Sequence, residues 1–187
     1  MTLYHGSPTS GLTLLKPGVT EYFGKSRQVC LTASLPMALL YGVRHYEYTY
    51  GYTGDRQIYY EEYFPNALRE LYQGKRASLY RCARREDMEP TSIPNEYVTP
   101  LEVPVEEERT IPDVYQALLE QERLGALRIV PWEEVSPARW VWILQVEAGE
   151  ILERGLLDRP EDPFARYMQE KYPDSWGLAE KKRKEEG

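Results

Sequence analysis

The chain has no long hydrophobic run. No apolar stretch in its 187 residues approaches the roughly 18 consecutive residues that a membrane-spanning helix requires. The first residues, Met-Thr-Leu-Tyr-His, also lack the basic segment followed by an apolar one that is typical of a secretory signal peptide. The sequence therefore predicts a cytoplasmic protein with no membrane partner.

Cysteine is scarce as well, with two residues in the chain, Cys30 and Cys82. They lie in unrelated contexts without the paired spacing of a zinc site, and the sequence gives no reason for a disulfide between them. We expect two buried thiols and no metal. The Walker loop, the Rossmann glycine fingerprint, the His-x-Glu metal motif and the Gly-x-Ser-x-Gly elbow are also missing. Their absence argues against the enzyme classes that depend on those motifs.

Positive charge is in the minority. The chain contains 23 lysines and arginines against 30 acidic residues, which gives a formal net charge of -7. This balance argues against broad, sequence-independent affinity for nucleic acid or for an anionic membrane. One basic run stands out, and it comprises Lys75, Arg76, Arg81, Arg84 and Arg85. Such runs usually form solvated faces, and the functional alternative is that this one steers a phosphate-bearing substrate.

Phenylalanine is rare and tyrosine abundant, with three residues against sixteen. Tyrosine rings pack through their faces while each hydroxyl reaches water or a partner, so many half-buried rings are expected. This composition suits a ligand cleft and equally a polar, β-rich shell. Trp140 and Trp142 lie two positions apart, which favours core and rim positions over a stacking surface for a base or a partner.

Periodicity and turn residues predict a mixed α and β chain. Short apolar or alternating runs are typical of strands, and they occupy residues 2–5, 29–32, 77–83, 95–105 and 127–130. Cap residues, prolines at helix starts and glycine stops predict helices within residues 34–44, 65–74, 110–125 and from 162. Residues 136–157 suit a long helix or, at 140–146, a strand, and we favour the helix. Residues 46–63 have no clear period and are interpreted as hairpins or a loop, and residues 181–187 as a frayed charged tail.

The length of the chain suits one sizeable hydrophobic core. We predict an α+β fold with one domain over residues 1–135. A helical C-terminal extension over residues 136–187 is expected to pack on that domain.

Three motifs carry the chemistry. Leu3-Tyr4-His5-Gly6-Ser7 opens the chain, and Phe23-Gly24-Lys25 precedes the strand at 29–32, which leads into a helix carrying Tyr41. Asn95-Glu96-Tyr97-Val98 follows much later. A histidine before a glycine at a strand end is by itself more often structural than catalytic. The order and context of all three motifs favour a functional site.

These motifs resemble the His-Tyr-Glu branch of the ADP-ribosyltransferase superfamily, which contains the poly(ADP-ribose) polymerases and diphtheria toxin. The match falls on His5, Tyr41 and Glu96 in the family's chain order, over roughly residues 3 to 100. The opening Leu-Tyr-His-Gly-Ser is similar to that of small uncharacterised bacterial and phage proteins. The resemblance implies a split antiparallel β-sheet with flanking helices that binds NAD as a co-substrate, without a metal.

The resemblance also implies residue roles, and these suit the residue types. Cleavage of the nicotinamide glycosidic bond builds positive charge on the ribose, which the Glu96 carboxylate would stabilise. His5 would hold a ribose hydroxyl, the Gly6 backbone would approach the nicotinamide amide, and the Tyr41 ring would cover the nicotinamide. The catalytic set is thus Glu96, His5 and Tyr41. The expected NAD-binding set comprises His5, Gly6, Ser7, Thr32 and Tyr41.

Two positions depart from the polymerase-like pattern. Cys30 stands where that pattern has an aromatic residue, and Ala38 stands where it has a serine that holds the nicotinamide amide. Amide recognition would then rest mainly on the Gly6 backbone. These losses favour single transfer over elongation of poly(ADP-ribose), and they imply either weaker nicotinamide binding or a different nucleotide.

The sequence therefore predicts mono-ADP-ribosyl transfer from NAD to an acceptor that stays open: a protein, a nucleic acid or a small molecule. Water as the acceptor would make the protein an NAD glycohydrolase. The alternatives are a non-catalytic NAD-binding, ADP-ribose-binding or protein-interaction module of the same fold, and a structural protein of a phage or mobile element. At residue level, Tyr41 has the alternative of a buried helix face, and Glu96 that of a solvated strand residue with Glu102 as its nearest rival. His45 is interpreted as structural.

Overall fold

The computed structural model describes residues 1 to 19 and 26 to 186. The chain is mixed α+β, with antiparallel sheets and, within the described residues, six α-helices. The predicted α+β class is confirmed at this level. The chain forms two compact units, the first comprising Met1–Tyr60 with Leu68–Ile129 and the second Glu61–Ala67 with Val130–Gly187.

The main sheet belongs to the first unit, and its neighbouring strands are antiparallel. Its strand order is β11-β7-β1-β4-β9-β8, and β3 pairs additionally with β4. The bounds are β1 Thr2–Ser7, β3 Gly18–Val19, β4 Arg27–Thr32, β7 Ala77–Ala83, β8 Glu89–Pro90, β9 Glu96–Thr99 and β11 Glu107–Ile111.

Two smaller sheets contain the other strands that the structure describes. One pairs β2 with β10, and the other has the order β12-β6-β5. Their bounds are β2 Leu14–Leu15, β5 Tyr50–Tyr52, β6 Ile58–Glu61, β10 Val103–Pro104 and β12 Leu127–Val130. The β5–β6 hairpin lies in the segment that shows no clear hydrophobic period in the sequence. Its apolar surface comes from tyrosines such as Tyr50 and its cross-strand partner Tyr60, at positions that hydrophobic patterning counts as polar.

Helix α1 spans Leu35–Tyr41 and begins as the sequence predicts. The Ser34 side chain accepts a hydrogen bond from the backbone N–H of Met37, and Pro36 lies in the first turn. The helix ends at Tyr41, three residues before the predicted end. At Gly42 the chain passes so close to β7 that a β-carbon on this residue would lie 2.8 Å from that of Ala77.

Helices α2 and α3 span Ala67–Tyr72 and Val114–Arg123. The start of α3 differs from the prediction. Thr110 lies in β11, and Asp113 caps the helix by accepting from the N–H of Gln116. Strand β11 has four exposed positions out of five, so it carries no hydrophobic alternation from which the sequence could predict it.

The second unit is mainly helical, with α4 at Pro137–Glu153, α5 at Pro163–Lys171 and α6 at Pro173–Glu186. Ser136 and Asp162 cap α4 and α5, as predicted. Helix α6 packs against α4 and continues to Glu186, where the sequence predicts a frayed tail. None of the described helices combines the length and hydrophobicity needed to cross a bilayer.

Two hydrophobic clusters lie among the described residues of the first unit. One includes Met37 and Leu40 of α1 together with Leu118 of α3. The other includes Leu3 and Cys82. Cys82 is the buried thiol that the sequence predicts, whereas Cys30 is only half-buried, and both cysteines are free.

Candidate functional site

Strands β1 and β4 separate in the middle of the main sheet. β1 pairs with β7 at every residue from Thr2 to Ser7, whereas its pairing with β4 consists of one residue pair, Tyr4 with Thr32. One residue further along β1, the connection to β4 is made by a side chain, because Nδ1 of His5 lies 2.9 Å from the carbonyl oxygen of Cys30. The separation leaves room for a cavity that both strands border.

The hydrogen bond of His5 determines which ring nitrogen is free. A carbonyl oxygen only accepts, so Nδ1 carries the hydrogen and donates it to Cys30. Burial lowers the pKa of His5 below its ordinary value, against the opposite effect of that hydrogen bond. In the neutral ring, Nε2 is then a hydrogen-bond acceptor. His5 lines the cavity with an atom suited to receive a hydroxyl group.

Gly6 is required by packing. A β-carbon at this position would lie 1.7 Å from the carbonyl oxygen of Ala38, within α1. The glycine therefore allows α1 to lie directly on β1, and α1 carries Tyr41. Gly6 also borders the cavity, and the packing of α1 is a reason for a glycine here that is independent of any ligand.

Glu96 is a buried acid at the start of β9, with a side chain and backbone only 6 % exposed. The register of β9 on β4 pairs it with Thr32, which in turn pairs with Tyr4 of β1. Burial raises the pKa of Glu96, and a hydrogen bond from Thr91 opposes the rise. The carboxylate lines the cavity. It is therefore an acidic group in a mainly apolar enclosure.

Tyr41 contributes an aromatic wall. Its ring centroid lies 4.7 Å from that of Tyr48, and its hydroxyl oxygen lies 2.9 Å from that of Tyr50. Burial raises the pKa of Tyr41 to about 12, and the charge of Glu96 contributes in the same direction. Tyr41 and Tyr48 both line the cavity. The ring is thus held by neighbouring tyrosines and stays neutral at physiological pH.

Ser7 and Thr32 are both buried, and each is engaged in a local turn. The Ser7 hydroxyl oxygen accepts from the N–H of Thr9 at 3.1 Å, and that of Thr32 accepts from the N–H of Ser34 at 3.0 Å. Each hydroxyl keeps its own hydrogen as a donor. Both residues border the cavity, so all six residues that the sequence assigns to the site lie around one space.

The cavity has a volume of about 470 Å³ and lies within the first unit. This size is within the roughly 300–1,000 Å³ typical of small-molecule sites. Its lining is mostly apolar and aromatic, with a few converging polar groups. Chemically, the arrangement offers a neutral imidazole acceptor, a buried carboxylate and an aromatic face, which together suit a sugar joined to a flat ring.

Cys30 and Ala38 also line the cavity. Burial, followed by the charge of Glu96, raises the pKa of the Cys30 thiol to about 11, so the thiol is uncharged and a poor nucleophile at neutral pH. Ala38 is 1 % exposed and presents a methyl group with no hydrogen-bonding capacity. Ala38 therefore makes none of the polar contacts that a serine at this position would make.

Sequence reasoning assigned no role to Lys16, Arg44 and Tyr48, which also line the cavity. Lys16 and Arg44 are exposed, and neither forms an ion pair with a described residue. They are the basic side chains among the cavity's described lining residues. Tyr48 lies in the segment 46–63, which shows no hydrophobic period. The abundance of tyrosine in that segment was the one signal in the sequence that could have pointed to Tyr48.

The basic run chosen from the sequence does not line the cavity. Arg81 forms surface ion pairs with Glu106 and Glu107, and Arg85 pairs with Asp87. The basic run therefore forms a solvated face, which is the interpretation that the sequence favoured. The arginines are drawn to the acidic residues of neighbouring strands and turns.

The tryptophan pair lies in the second unit, on α4. Trp140 and Trp142 are 37 % and 44 % exposed, so neither is the core position that the i, i+2 spacing suggested. In a helix this spacing places side chains about 200° apart, and here both sides of α4 reach solvent. The Trp142 ring packs against the guanidinium of Arg139 at 3.8 Å.

His45, the second histidine, is engaged with a buried tyrosine: its Nε2 lies 2.6 Å from the hydroxyl oxygen of Tyr72. Within the described residues, no group of three or more His, Cys, Asp or Glu side chains could hold a metal ion. The Phe23-Gly24-Lys25 motif lies outside the described residues. Comparisons with protein-family models, with curated proteins and with solved structures gave no match for this chain.

Proposed function

We propose that this protein is an NAD-dependent mono-ADP-ribosyltransferase of the His-Tyr-Glu type. The observation that carries the proposal is the convergence of His5, Tyr41 and Glu96 on one cavity between β1 and β4. The three come from β1, α1 and β9, which are far apart in the sequence. The proposal includes the fold that accompanies this function, the split antiparallel sheet with flanking helices of the ADP-ribosyltransferases.

The reaction breaks the bond between the nicotinamide nitrogen and ribose C1, and the bonding electron pair leaves with the neutral nicotinamide. Positive charge develops on the ribose, and the Glu96 carboxylate stabilises it more in the transition state than in the ground state. Nε2 of His5 accepts from a ribose hydroxyl and fixes the sugar. The Tyr41 ring stacks on the nicotinamide.

The remaining polar groups complete the binding of NAD. Ser7 and Thr32 donate their free hydroxyl hydrogens, and the backbone at Gly6 meets the nicotinamide amide. Lys16 and Arg44 bind the pyrophosphate, because its negative charge attracts two cations that form no ion pair with a residue the structure describes. No metal takes part in this scheme.

The acceptor attacks ribose C1 through a lone pair and loses a proton to Glu96 or to solvent. The acceptor is a protein, a nucleic acid or a small molecule, and water in its place gives NAD glycohydrolase activity. Single transfer is favoured over chain elongation, because Cys30 and Ala38 replace groups that the polymerase-like pattern uses. A cytoplasmic location, where NAD is abundant, fits the same proposal.

The second candidate is a non-catalytic module that binds NAD or ADP-ribose. The observation that favours it is Ala38, whose methyl group cannot hydrogen-bond to the nicotinamide amide. A cavity without that contact retains ADP-ribose more readily than intact NAD. The two candidates differ in whether nicotinamide is released.

The test measures nicotinamide release from NAD and NAD binding by the wild type, Glu96→Gln and Glu102→Gln. Glutamine keeps the size of the acid and removes its charge, and Glu102 is an exposed acid outside the cavity that serves as the matched control. The proposal expects release by the wild type and Glu102→Gln, and loss of at least about 100-fold in Glu96→Gln with NAD binding retained. Binding without release by the wild type supports the module. Neither binding nor release would contradict both and favour a structural protein.

A further inference from the structure

Thr91 is joined to Glu96 by a short hydrogen bond. Its hydroxyl oxygen lies 2.7 Å from Oε2 of Glu96, across the turn between β8 and β9. The backbone joins the same two residues, since the N–H of Thr91 donates to the carbonyl oxygen of Glu96 over 3.1 Å. Asn95, directly before Glu96, has a φ of +65°, which gives this turn its sharp reversal. Thr91 therefore holds Glu96 through main chain and side chain.

Ile93 sets the direction of the side-chain hydrogen bond. The N–H of Ile93 donates to Oγ1 of Thr91 over 3.0 Å, so the threonine oxygen acts there as the acceptor. The hydroxyl hydrogen is then available for the carboxylate of Glu96. The competing acceptor, the carbonyl oxygen of Ile93, is 3.5 Å away, which is long for an O–H donor.

The bond engages only one oxygen of the carboxylate. Oε2 of Glu96 is held by Thr91, whereas Oε1 receives no hydrogen bond from any residue that the structure describes. Because Glu96 lines the cavity, its second oxygen is the one left for a ligand. A carboxylate that rotates freely would present either oxygen and would lose entropy on binding, and a carboxylate held at one oxygen avoids much of that cost.

We infer that Thr91 is the positioning residue of the site: it holds Oε2 of Glu96, leaves Oε1 for the ribose, and donates a hydrogen bond that favours the ionised carboxylate. The inference rests on the proposed ADP-ribosyl transfer, in which Glu96 is the stabilising acid. Burial raises the pKa of Glu96, and the hydrogen bond from Thr91 acts in the opposite direction. Thr91 thus keeps a buried acid charged where its charge is needed.

The experiment compares the wild type with Thr91→Val, Thr91→Ser and Thr110→Val. Valine keeps the shape of threonine without the hydroxyl, and serine keeps the hydroxyl without the methyl group. Thr110 is an exposed residue of β11 outside the cavity, which makes its substitution by valine a matched control. One readout is an NMR titration of the ¹³C-labelled Glu96 carboxyl, assigned with Glu96→Gln. The other is nicotinamide release from NAD as a function of pH.

In Thr91→Val we expect the Glu96 carboxyl to titrate about one pH unit higher, and the acid limb of kcat to move by the same amount. At the pH optimum, kcat falls roughly tenfold while KM for NAD changes less than about twofold, because the lost contact acts on the carboxylate and not on the ligand. Thr91→Ser retains wild-type titration and kcat within about twofold. Thr110→Val behaves as the wild type.

An unshifted carboxyl titration in Thr91→Val overturns the inference, whatever its activity. Equal losses of kcat in Thr91→Val and Thr91→Ser also overturn it, because they indicate a structural role of the methyl group. The titration does not depend on turnover. A wild type that neither binds nor cleaves NAD would contradict the proposed function, and with it the catalytic part of the inference, while a shifted titration would still establish the hold of Thr91 on Glu96.

Discussion

Gly6 lies so close to Ala38 that a β-carbon on Gly6 would stand 1.7 Å from the Ala38 carbonyl oxygen. This contact sets the distance between the first strand and the first helix. His5 lies on that strand and Tyr41 on that helix, so the same contact fixes two of the three proposed catalytic side chains. Gly6, which the sequence places in a binding motif, therefore also makes the packing contact that positions β1 and α1.

Gly6→Ala should destabilise the protein by about 3 kcal/mol, because α1 would have to move away from β1. Urea unfolding followed by circular dichroism measures the change. Gly54→Ala is the matched control, since a β-carbon there meets no atom within 4 Å. It should change the free energy of unfolding by less than about 0.5 kcal/mol. Equal effects of the two substitutions would contradict the packing role of Gly6.

His5→Ala should weaken NAD binding roughly 10- to 100-fold, because it removes the Nε2 acceptor and the link to the Cys30 carbonyl. The chain has one other histidine, His45, outside the cavity, and His45→Ala should leave NAD affinity within about twofold. Isothermal titration calorimetry gives both values. Unchanged affinity in His5→Ala would remove the histidine from the binding site.

The pH dependence of nicotinamide release should reflect Glu96. The folded protein holds the pKa of this acid above its ordinary value of 4.5, because of burial. As pH falls through the raised pKa, Glu96 gains a proton and activity is lost, so the acid limb of kcat/KM should lie above pH 4.5. Glu102→Gln should leave the profile in place. An acid limb at or below the ordinary value would exclude Glu96 as the group responsible.

Arg44→Gln and Lys16→Gln should each raise KM for NAD by about fivefold to tenfold and change kcat little. Each variant lacks a positive charge that faces the pyrophosphate, and neither charge contacts the bond that breaks. Arg128→Gln is the control, as Arg128 is an exposed arginine outside the cavity. Steady-state kinetics at low and high salt separate local contact from general charge. An equal rise in all three variants would indicate a general charge effect only.

His45 should make the protein sensitive to acid. Burial lowers its pKa to about 4 in the folded protein, from an ordinary value of 6.5. The folded state therefore favours neutral His45, and its contribution to stability is present above pH 6.5 and is lost as pH falls through about 4. Urea unfolding at pH 7 and pH 4.5 should show a loss that is smaller in His45→Asn. The same loss in both proteins would assign the acid sensitivity to other groups.

Local patterns in the sequence predicted many of the elements. The strands Ala77–Ala83 and Leu127–Val130 match their predicted bounds, and the caps Ser34 and Ser136 were identified from their residue types. These features depend on neighbours within a few positions, which is the range over which propensity and capping act. Strand β11 was missed because its exposed, charged residues pair with β7 from an edge position.

The site was predictable only in part. The motif resemblance pointed to His5, Tyr41 and Glu96, and the structure brings them to one cavity. Sequence reasoning did not identify Thr91, since a threonine in a turn has no pattern of its own and matters here through one side-chain hydrogen bond. It also did not single out Lys16 and Arg44, because the spacing of charges along the chain does not show which basic side chains border a cavity.

The sequence by itself determined the α+β class, the helix caps and the identity of the chemical groups, because residue type and short-range spacing settle these. Tertiary structure alone decided the separation of β1 from β4, the burial of Glu96 and the free Nε2 of His5. Each of these depends on contacts between residues far apart in the chain, such as His5 with Cys30 and Gly6 with Ala38. These three features follow from how closely distant segments of the chain pack, and a local sequence pattern contains no information on that packing.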